Sequence, residues 1–572
     1  MRIRIYAAIL LVFLTILVTG LFYTQIIMYE RYKTMSEENR LKIVPLMAPR
    51  GTIFDMRGHP MVKDVLSFDL SVVYGSIKDK ERLVSILSKA LDVPRDEMDK
   101  AIKKSRFRPY APYVVYQDIG IEKAIHIEES MSDLPGVILD VSASRRYLYG
   151  ACAGNLIGYI GLLNKPEFER LKPYGYRIDD LVGRAGVEQY YDEYLRGKHG
   201  GKQVEVDHKG RESATLGYLE PVPGKDLYLT IDLELQQYCE LLMEGKRGAI
   251  VALDPNTGAV RAMVSSPGYD PGIFVDRSRR NEIRPLMKDK EYPMINRAVA
   301  GAYPPGSVFK SVVAVAALES GKIKLNTTFN CDGSMRMGKR VFHCWKETGH
   351  GPQVIQDALK NSCNVFFWNT GLTLGVDILA EYAGRFGVGQ RTGIDLPGEV
   401  EGLLPSKEWK QKNMKEQWYK GETMNYSVGQ GYLLCTPIQV ARMMSVFANG
   451  GYMIKPYIVE KIEDMDVNTP EKIRLGISER TLSAVREGLN RVVNDRRGTG
   501  IKARQESFEV AGKTGTSQTG KKKNHGWFAG FAPFDHAALT VVVFDEYGGR
   551  GGYYAAETAG KVFSKAHELG IL

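Results

Sequence analysis

Gly301-Ala-Tyr-Pro-Pro-Gly-Ser-Val-Phe-Lys310 runs directly into Ser311-Val-Val-Ala-Val-Ala-Ala-Leu318. Two prolines between glycines make a turn, and the apolar run behind them predicts a buried helix that starts at the serine. Ser307 and Lys310 stand three residues apart and so share one face of that helix, with an amine within reach of a hydroxyl. A lysine whose pKa is depressed by burial can take the serine proton and turn the hydroxyl into a nucleophile. Taken alone, S-x-x-K is a weak signal. It recurs by chance in long sequences, and on that pair alone a helix-capping serine beside a solvated lysine is the better reading.

Two distant elements change that balance. Ser362-Cys-Asn364 follows a helical-looking stretch, Val354 to Lys360, and Lys513-Thr-Gly-Thr516 follows the short apolar Phe508 to Ala511 and precedes Trp527-Phe-Ala-Gly-Phe531. Each has an ordinary reading, a turn in the first case and a strand with a glycine kink in the second. Together they give the order S-x-x-K, S-x-N, K-T-G at domain-scale spacing, the three signatures shared by penicillin-binding proteins and serine β-lactamases.

Around this core the chain divides. Pro221-Val-Pro-Gly224 reads as a linker, followed by a strand-like Asp226 to Ile231 and a helix from Leu233 to Met243. Ala249 to Leu253 and Ala259 to Ser265 flank the turn residues Asp254-Pro-Asn-Thr-Gly258, which predicts a β-hairpin. Upstream of residue 225, β-like runs (Phe68 to Val73, Tyr113 to Tyr116) mix with charged helical stretches such as Asp79 to Leu91, and no residues there have catalytic spacing. That region reads as a non-catalytic α+β module.

The chain has 572 residues, too many for one hydrophobic core, and its 44% hydrophobic and 25% charged residues are globular in balance. Ile5 to Thr24 is an exception, twenty residues without a charge, long enough to span a bilayer. Arg2 and Arg4 precede it and Glu30 is the first acid after it, so the expectation is a single-pass anchor with a cytoplasmic N-terminus and the bulk in the periplasm. A cleaved signal peptide is the alternative; its apolar region is shorter and ends at a small-residue site, whereas this one continues through Leu21, Phe22 and Tyr23. The polar stretch Glu30 to Lys42 is expected to leave the membrane as a helix. The net charge of +10 suits nucleic acid, anionic lipid or an acidic polymer, and export disfavours the first.

Beyond the three signatures, further segments resemble the class B penicillin-binding proteins, most closely their cell-elongation members, nearly end to end. They are Arg50-Gly-Thr-Ile-Phe-Asp-Met-Arg-Gly58, Gly183-Arg-Ala-Gly-Val-Glu188, Thr392-Gly-Ile-Asp-Leu-Pro-Gly398 and Tyr426-Ser-Val-Gly-Gln-Gly431. One departure is Arg145-Arg-Tyr-Leu-Tyr-Gly150, with Leu148 where the family often has proline. The resemblance implies an α+β multidomain chain. Residues 1–30 would hold the cytoplasmic tip and transmembrane helix, 31–225 an elongated α+β pedestal of the dimerisation type, and 226–572 an α/β/α transpeptidase domain built on an antiparallel sheet.

The resemblance also implies a chemistry: a serine acyl-enzyme forms with the penultimate D-Ala of a peptidoglycan stem peptide, and the acyl group passes to an amine of a neighbouring strand during cell elongation. Ser307 would be the nucleophile, Lys310 its base, Ser362 the proton relay and Asn364 the group holding the substrate amide. Backbone N–H groups of Ser307 and Thr516 would form the oxyanion hole, with Lys513, Thr514, Gly515 and Thr516 lining the site of the terminal carboxylate. β-Lactams would trap the serine. The upstream module carries no glycosyltransferase motif, so a SEDS-family polymerase and other elongation-complex membrane proteins are the implied partners. A septal transpeptidase and a non-enzymatic β-lactam-sensing receptor are the alternatives, the latter usually with several membrane helices.

Between the first two signatures lie Cys331, Cys344, His350 and Cys363, spaced C-x12-C-x5-H-x12-C, three of the chain's six cysteines. Three thiolates and an imidazole make a closed tetrahedral set suited to one structural zinc ion, and a subgroup of the family has zinc in this loop. A Cys331–Cys344 disulfide in an oxidising periplasm is the competing expectation.

Overall fold

The computed structural model describes residues 2–33, 41–107, 109–110, 112–178, 180–206, 212–520, 523–549 and 553–572. By contact the chain forms two compact units that interleave along the sequence. One comprises Met1–Gly51, Asp64–Arg146 and Arg196–Gly224, the other Thr52–Lys63, Tyr147–Leu195 and Lys225–Leu572.

The first unit begins with an apolar helix, Arg2–Phe22, which a wider helical turn, Tyr23–Ile27, extends. Thr15 and Thr19 return their hydroxyls to the carbonyls of Leu11 and Thr15, as an apolar setting requires. Residues 34–40 of the expected exit helix lie outside the described residues. Leu41–Leu46 is a strand, pairing antiparallel with Gly200–Val206. That long-range partner overrides the local polar pattern. A second core forms where Leu83, Val84, Leu87 and Leu91 of the helix Lys80–Leu91 pack with Leu70, Val72 and Ile119. Asp79 caps that helix by accepting from Arg82 N. Arg145 binds the carbonyls of Gly51 (2.7 Å) and Arg50 (3.4 Å) and the carboxylate of Asp64, whose other oxygen takes Arg50 N at 2.7 Å.

The second unit is built on five antiparallel strands: β1 (Gly248–Leu253), β2 (Val260–Ser266), β3 (Ala511–Ser517), β4 (His525–Ala532) and β5 (Leu539–Asp545). Their order is β2-β1-β5-β4-β3, which leaves β3 at an edge. The hairpin expected around Asp254 to Gly258 joins β1 and β2. Side chains alternate between two cores, as a two-residue period demands: Ala249, Val251, Trp527, Phe531 and Phe544 enter one, Ile250, Ala252, Phe528 and Val543 the other.

The helices of this unit are α1 (Leu233–Leu242), α2 (Lys310–Glu319), α3 (Ile355–Lys360), α4 (Asn364–Leu374), α5 (Pro437–Ala448), α6 (Glu479–Asn494) and α7 (Tyr554–Glu568). α1 and α7 fill one core and α5 covers the opposite face, where α2 and α4 extend the same apolar mass. The sheet is therefore a middle layer between helices. Leu148, at the position of the family's proline, donates its backbone N–H to Met61 O at 3.0 Å, a bond proline cannot make. Among the charged residues of the glycine-flanked segments, Asp55 and Glu188 are buried rather than solvated. Asp55 accepts from the backbone N–H groups of Arg57 and His59 at 2.9 and 2.7 Å.

Candidate active site and metal cluster

Ser307 lies one turn earlier than expected for an α-helical residue. It sits in a tight 3₁₀ turn, Gly306–Phe309, and the α-helix begins only at Lys310. Lys310 to Ala317 are all buried, with Val312, Val313 and Val315 among them, and each fully buried valine contributes roughly 1.5–3 kcal/mol. The lysine is thus the buried first residue of an apolar helix.

The amine is not isolated. Lys310 Nζ donates to Ser362 O at 2.8 Å and to Asn364 Oδ1 at 2.7 Å, and stands 3.4 Å from Ser362 Oγ. The ring of Phe367 lies 5.4 Å away. Burial pushes Lys310 down to about 8. Among the described residues no carboxylate balances the amine, so near neutrality its proton is held weakly. Among the described residues Ser307 Oγ, half-buried, has no hydrogen bond to this amine. In the resting protein Lys310 is therefore wired to the S-x-N motif, whereas the sequence alone suggested a Ser307–Lys310 pair.

The S-x-N motif is the turn between α3 and α4. Ser362 has φ +49°, left-handed, at the place where helices usually stop on glycine. Ser362 N reaches Leu359 O (3.1 Å) and Cys363 N reaches Ala358 O (2.9 Å), the paired bonds of a Schellman ending. A non-glycine residue pays about 1–2 kcal/mol for that backbone. In return Ser362 and Asn364 both face Lys310 while the intervening Cys363 turns to another cluster.

Lys513 and Thr514 lie on the edge strand β3. Lys513 Nζ is buried, and its one hydrogen bond among the described residues goes to Thr514 O at 3.1 Å. Burial, then the neighbouring Lys310, holds its pKa well below the ordinary lysine range. Thr514 Oγ1 meets Thr499 Oγ1 at 3.0 Å, a contact that only the turn Gly498-Thr-Gly500 hinted at. At Gly515 an added Cβ would lie 2.9 Å from Pro305 O, so the strand passes closely beside the serine turn. Thr516 O accepts from Gln430 Nε2 at 2.9 Å, which sequence reading missed.

Cys331, Cys344, His350 and Cys363 converge: their ligand atoms all lie within 4.8 Å of one another. The sulfurs of Cys331 and Cys344 stand 3.5 and 3.7 Å from His350 Nδ1. The three cysteines are free thiols, so the alternative Cys331–Cys344 bridge is not formed. Cys344 is driven toward thiolate by the Cys363 S–H and by His350, while Cys363 is pushed up by the thiolate beside it and by burial. A site that favours one thiolate beside two further sulfurs and an imidazole can hold a metal ion.

Residues 248–568 match the penicillin binding protein transpeptidase domain, and residues 45–229 the penicillin-binding protein dimerisation domain. The peptidoglycan D,D-transpeptidase MrdA of Haemophilus influenzae is 33% identical over 583 residues, covering 96% of this chain and 88% of that protein. The complex between penicillin-binding protein PBP2 and MreC from Helicobacter pylori aligns with a TM-score of 0.82 at 27% identity, over 93% of this chain and 99% of the solved one. A peptidoglycan synthase complex, solved for its coordination of polymerization and crosslinking, aligns at 0.77 with 32% identity, over 100% and 99%.

Proposed function

The chain belongs to the class B penicillin-binding proteins, with a dimerisation and a transpeptidase domain, and on that premise we propose how its own residues carry the D,D-transpeptidase reaction of cell elongation. The supporting observation is the Lys310 amine, buried, pushed down to about 8, and bonded to both polar residues of the S-x-N turn.

Ser307 attacks the carbonyl of the penultimate D-Ala. Its proton passes to the neutral Lys310 amine, and Ser362 Oγ, 3.4 Å from that amine, delivers it to the departing D-Ala nitrogen. Asn364 orients the lysine and the substrate amide. The N–H groups of Ser307 and Thr516 receive the oxyanion, for which removing a donor costs about 3–4 kcal/mol in other enzymes. Lys513 meets the terminal carboxylate with Thr514 and Thr516. Attack by an amine of a second strand reverses the steps and releases the cross-link.

The Cys331, Cys344, His350 and Cys363 cluster is read as a zinc site. Tetrahedral zinc at about 2.3 Å from sulfur and 2.1 Å from nitrogen sets sulfur–nitrogen edges near 3.6 Å, against 3.5 and 3.7 Å here. Bound zinc would supply cross-linking of the Ser362–Asn364 turn to the Cys331–His350 loop. Residues 31–225 are taken as the pedestal and 226–572 as the transpeptidase domain, anchored by the helix at Arg2–Phe22 with the bulk in the periplasm. The alignment with the polymerization and crosslinking complex supports a SEDS-type polymerase as partner, and that with the MreC complex supports further elongation proteins.

The test is peptide mapping after reaction with a labelled penicillin. The label is expected on Ser307 and is lost in Ser307→Ala, which costs at most about 1–2 kcal/mol of folding stability as a turn residue. A label on any other residue refutes the assignment.

A further inference from the structure

Three segments meet at the serine turn. Gly306 N donates to Gly429 O at 2.9 Å, and Gln430 Nε2 donates to Thr516 O at 2.9 Å. Gly429 has φ +71°, and a Cβ there would lie 2.1 Å from Gly306 O; Gly306 has φ +56°, and its Cβ would lie 2.8 Å from Thr516 O. Only glycine permits both approaches. The turn that carries Gln430 is itself anchored on the preceding helix Lys420–Ser427, through Gly429 N to Tyr426 O and Gln430 N to Asn425 O, both 2.9 Å.

β3 is an edge strand, so groups on its outer side are not used by the sheet. In an extended strand the N–H and C=O of one residue point the same way. The Gln430 bond shows Thr516 O directed off that edge, and its N–H is therefore directed to the same side, toward the turn bearing Ser307.

We propose that Gln430 is a positioning residue: by clasping the Thr516 carbonyl while Gly429 holds the serine turn, it fixes the separation of the Ser307 and Thr516 N–H groups that receive the oxyanion. The proposal rests on the oxyanion assignment above. Glutamine suits the task because it is a neutral donor. A carboxylate of the same size would face a carbonyl oxygen with no proton to give, and an alkyl chain would leave the carbonyl unheld. A donor held by a clasp outside the site is preorganised before substrate arrives, which is the condition under which such hydrogen bonds accelerate a reaction.

The test uses the full chain with Gln430→Glu and Gln430→Met, both close to the native volume. Stopped-flow acylation by a chromogenic cephalosporin separates noncovalent affinity from the acylation rate constant, and infrared difference spectra read the ester carbonyl of the acyl-enzyme. The expected result is an acylation rate constant lower by about 10- to 100-fold at an affinity within about threefold of wild type. The ester band should move to higher wavenumber, because a carbonyl with a misplaced donor is less polarised. Wild-type rate with an unshifted band in both variants overturns the proposal. So does a rate loss that tracks a lowered melting temperature while the band stays in place. If the wild-type chain itself forms no ester on Ser307, the catalytic assignment falls, and that outcome is recognised before any variant is compared.

Discussion

Lys310 and Lys513 are two buried lysines at one site, and they differ in what surrounds the amine. Lys310 has Ser362 O, Asn364 Oδ1 and Ser362 Oγ within 3.4 Å, whereas among the described residues Lys513 bonds only the carbonyl of the next residue, Thr514, at 3.1 Å. Burial lowers both, Lys310 to about 8, with Lys310 adding to the lowering of Lys513. The first amine can exchange its proton near neutrality and bonds both polar residues of the S-x-N turn, which suits the base proposed for it. The second has no anionic partner among the described residues, which suits the carboxylate receptor proposed for it. Two identical side chains at similar burial thus differ in their acceptors, and Lys513 also has the Lys310 amine as a neighbour.

Removing the base should give the largest effect. Lys310→Met, which keeps the buried volume, is expected to lower the acylation rate constant by about 10³-fold or more with little change in noncovalent affinity. Near wild-type acylation at neutral pH would erase the contrast between the two lysines. Lys513→Met should show the opposite split. Loss of one charge-assisted contact, about 1.5–3 kcal/mol, weakens affinity for a carboxylate-bearing β-lactam by about 10- to 100-fold and changes the later step less. Equal effects of the two substitutions on both constants would mean that the amines act as one unit.

The metal cluster bears on the first lysine only, since Cys363 lies between Ser362 and Asn364. Cys344→Ser is therefore expected to lower the melting temperature by several degrees and acylation by a smaller factor than Lys310→Met, with bound zinc falling from about one equivalent on elemental analysis. Metal-free protein with full stability and activity would remove the cluster from the account.

Much of this contrast was legible in the sequence because its carriers are short contiguous motifs. Ser307-Val-Phe-Lys310, Ser362-Cys-Asn364 and Lys513-Thr-Gly-Thr516 announce themselves, and the apolar runs on either side of Asp254 to Gly258 marked a hairpin that the structure contains. The cysteines were found by spacing, though spacing alone left a disulfide open. What stayed hidden depends on long-range geometry. The bond from Lys310 to Ser362 crosses 52 residues, and the clasp from Gln430 to Thr516 crosses 86. Left-handed backbone at Ser362 is invisible where the rule for helix ends asks for glycine. Likewise the strand Leu41–Leu46 exists because Gly200–Val206 pairs with it, and nothing local marks it.

The sign of the pH effect follows from the direction of the Lys310 shift. Its native pKa lies below the ordinary lysine value near 10.4, so between those values the unfolded chain binds more protons. The neutral amine thus contributes more to stability as pH rises through about 8, and less below it. Activity should follow the same proton, since only the neutral amine can accept one from Ser307.

The most direct measurement is single-turnover acylation by a chromogenic β-lactam from pH 6 to 10, in wild type and in Lys310→Met. The account predicts a wild-type rate constant that rises with pH, bends near pH 8 where Lys310 loses its proton and then levels, and a variant whose residual rate shows no bend there. A wild-type profile flat across that range, or one whose bend survives in Lys310→Met, would contradict the assignment of Lys310 as the base.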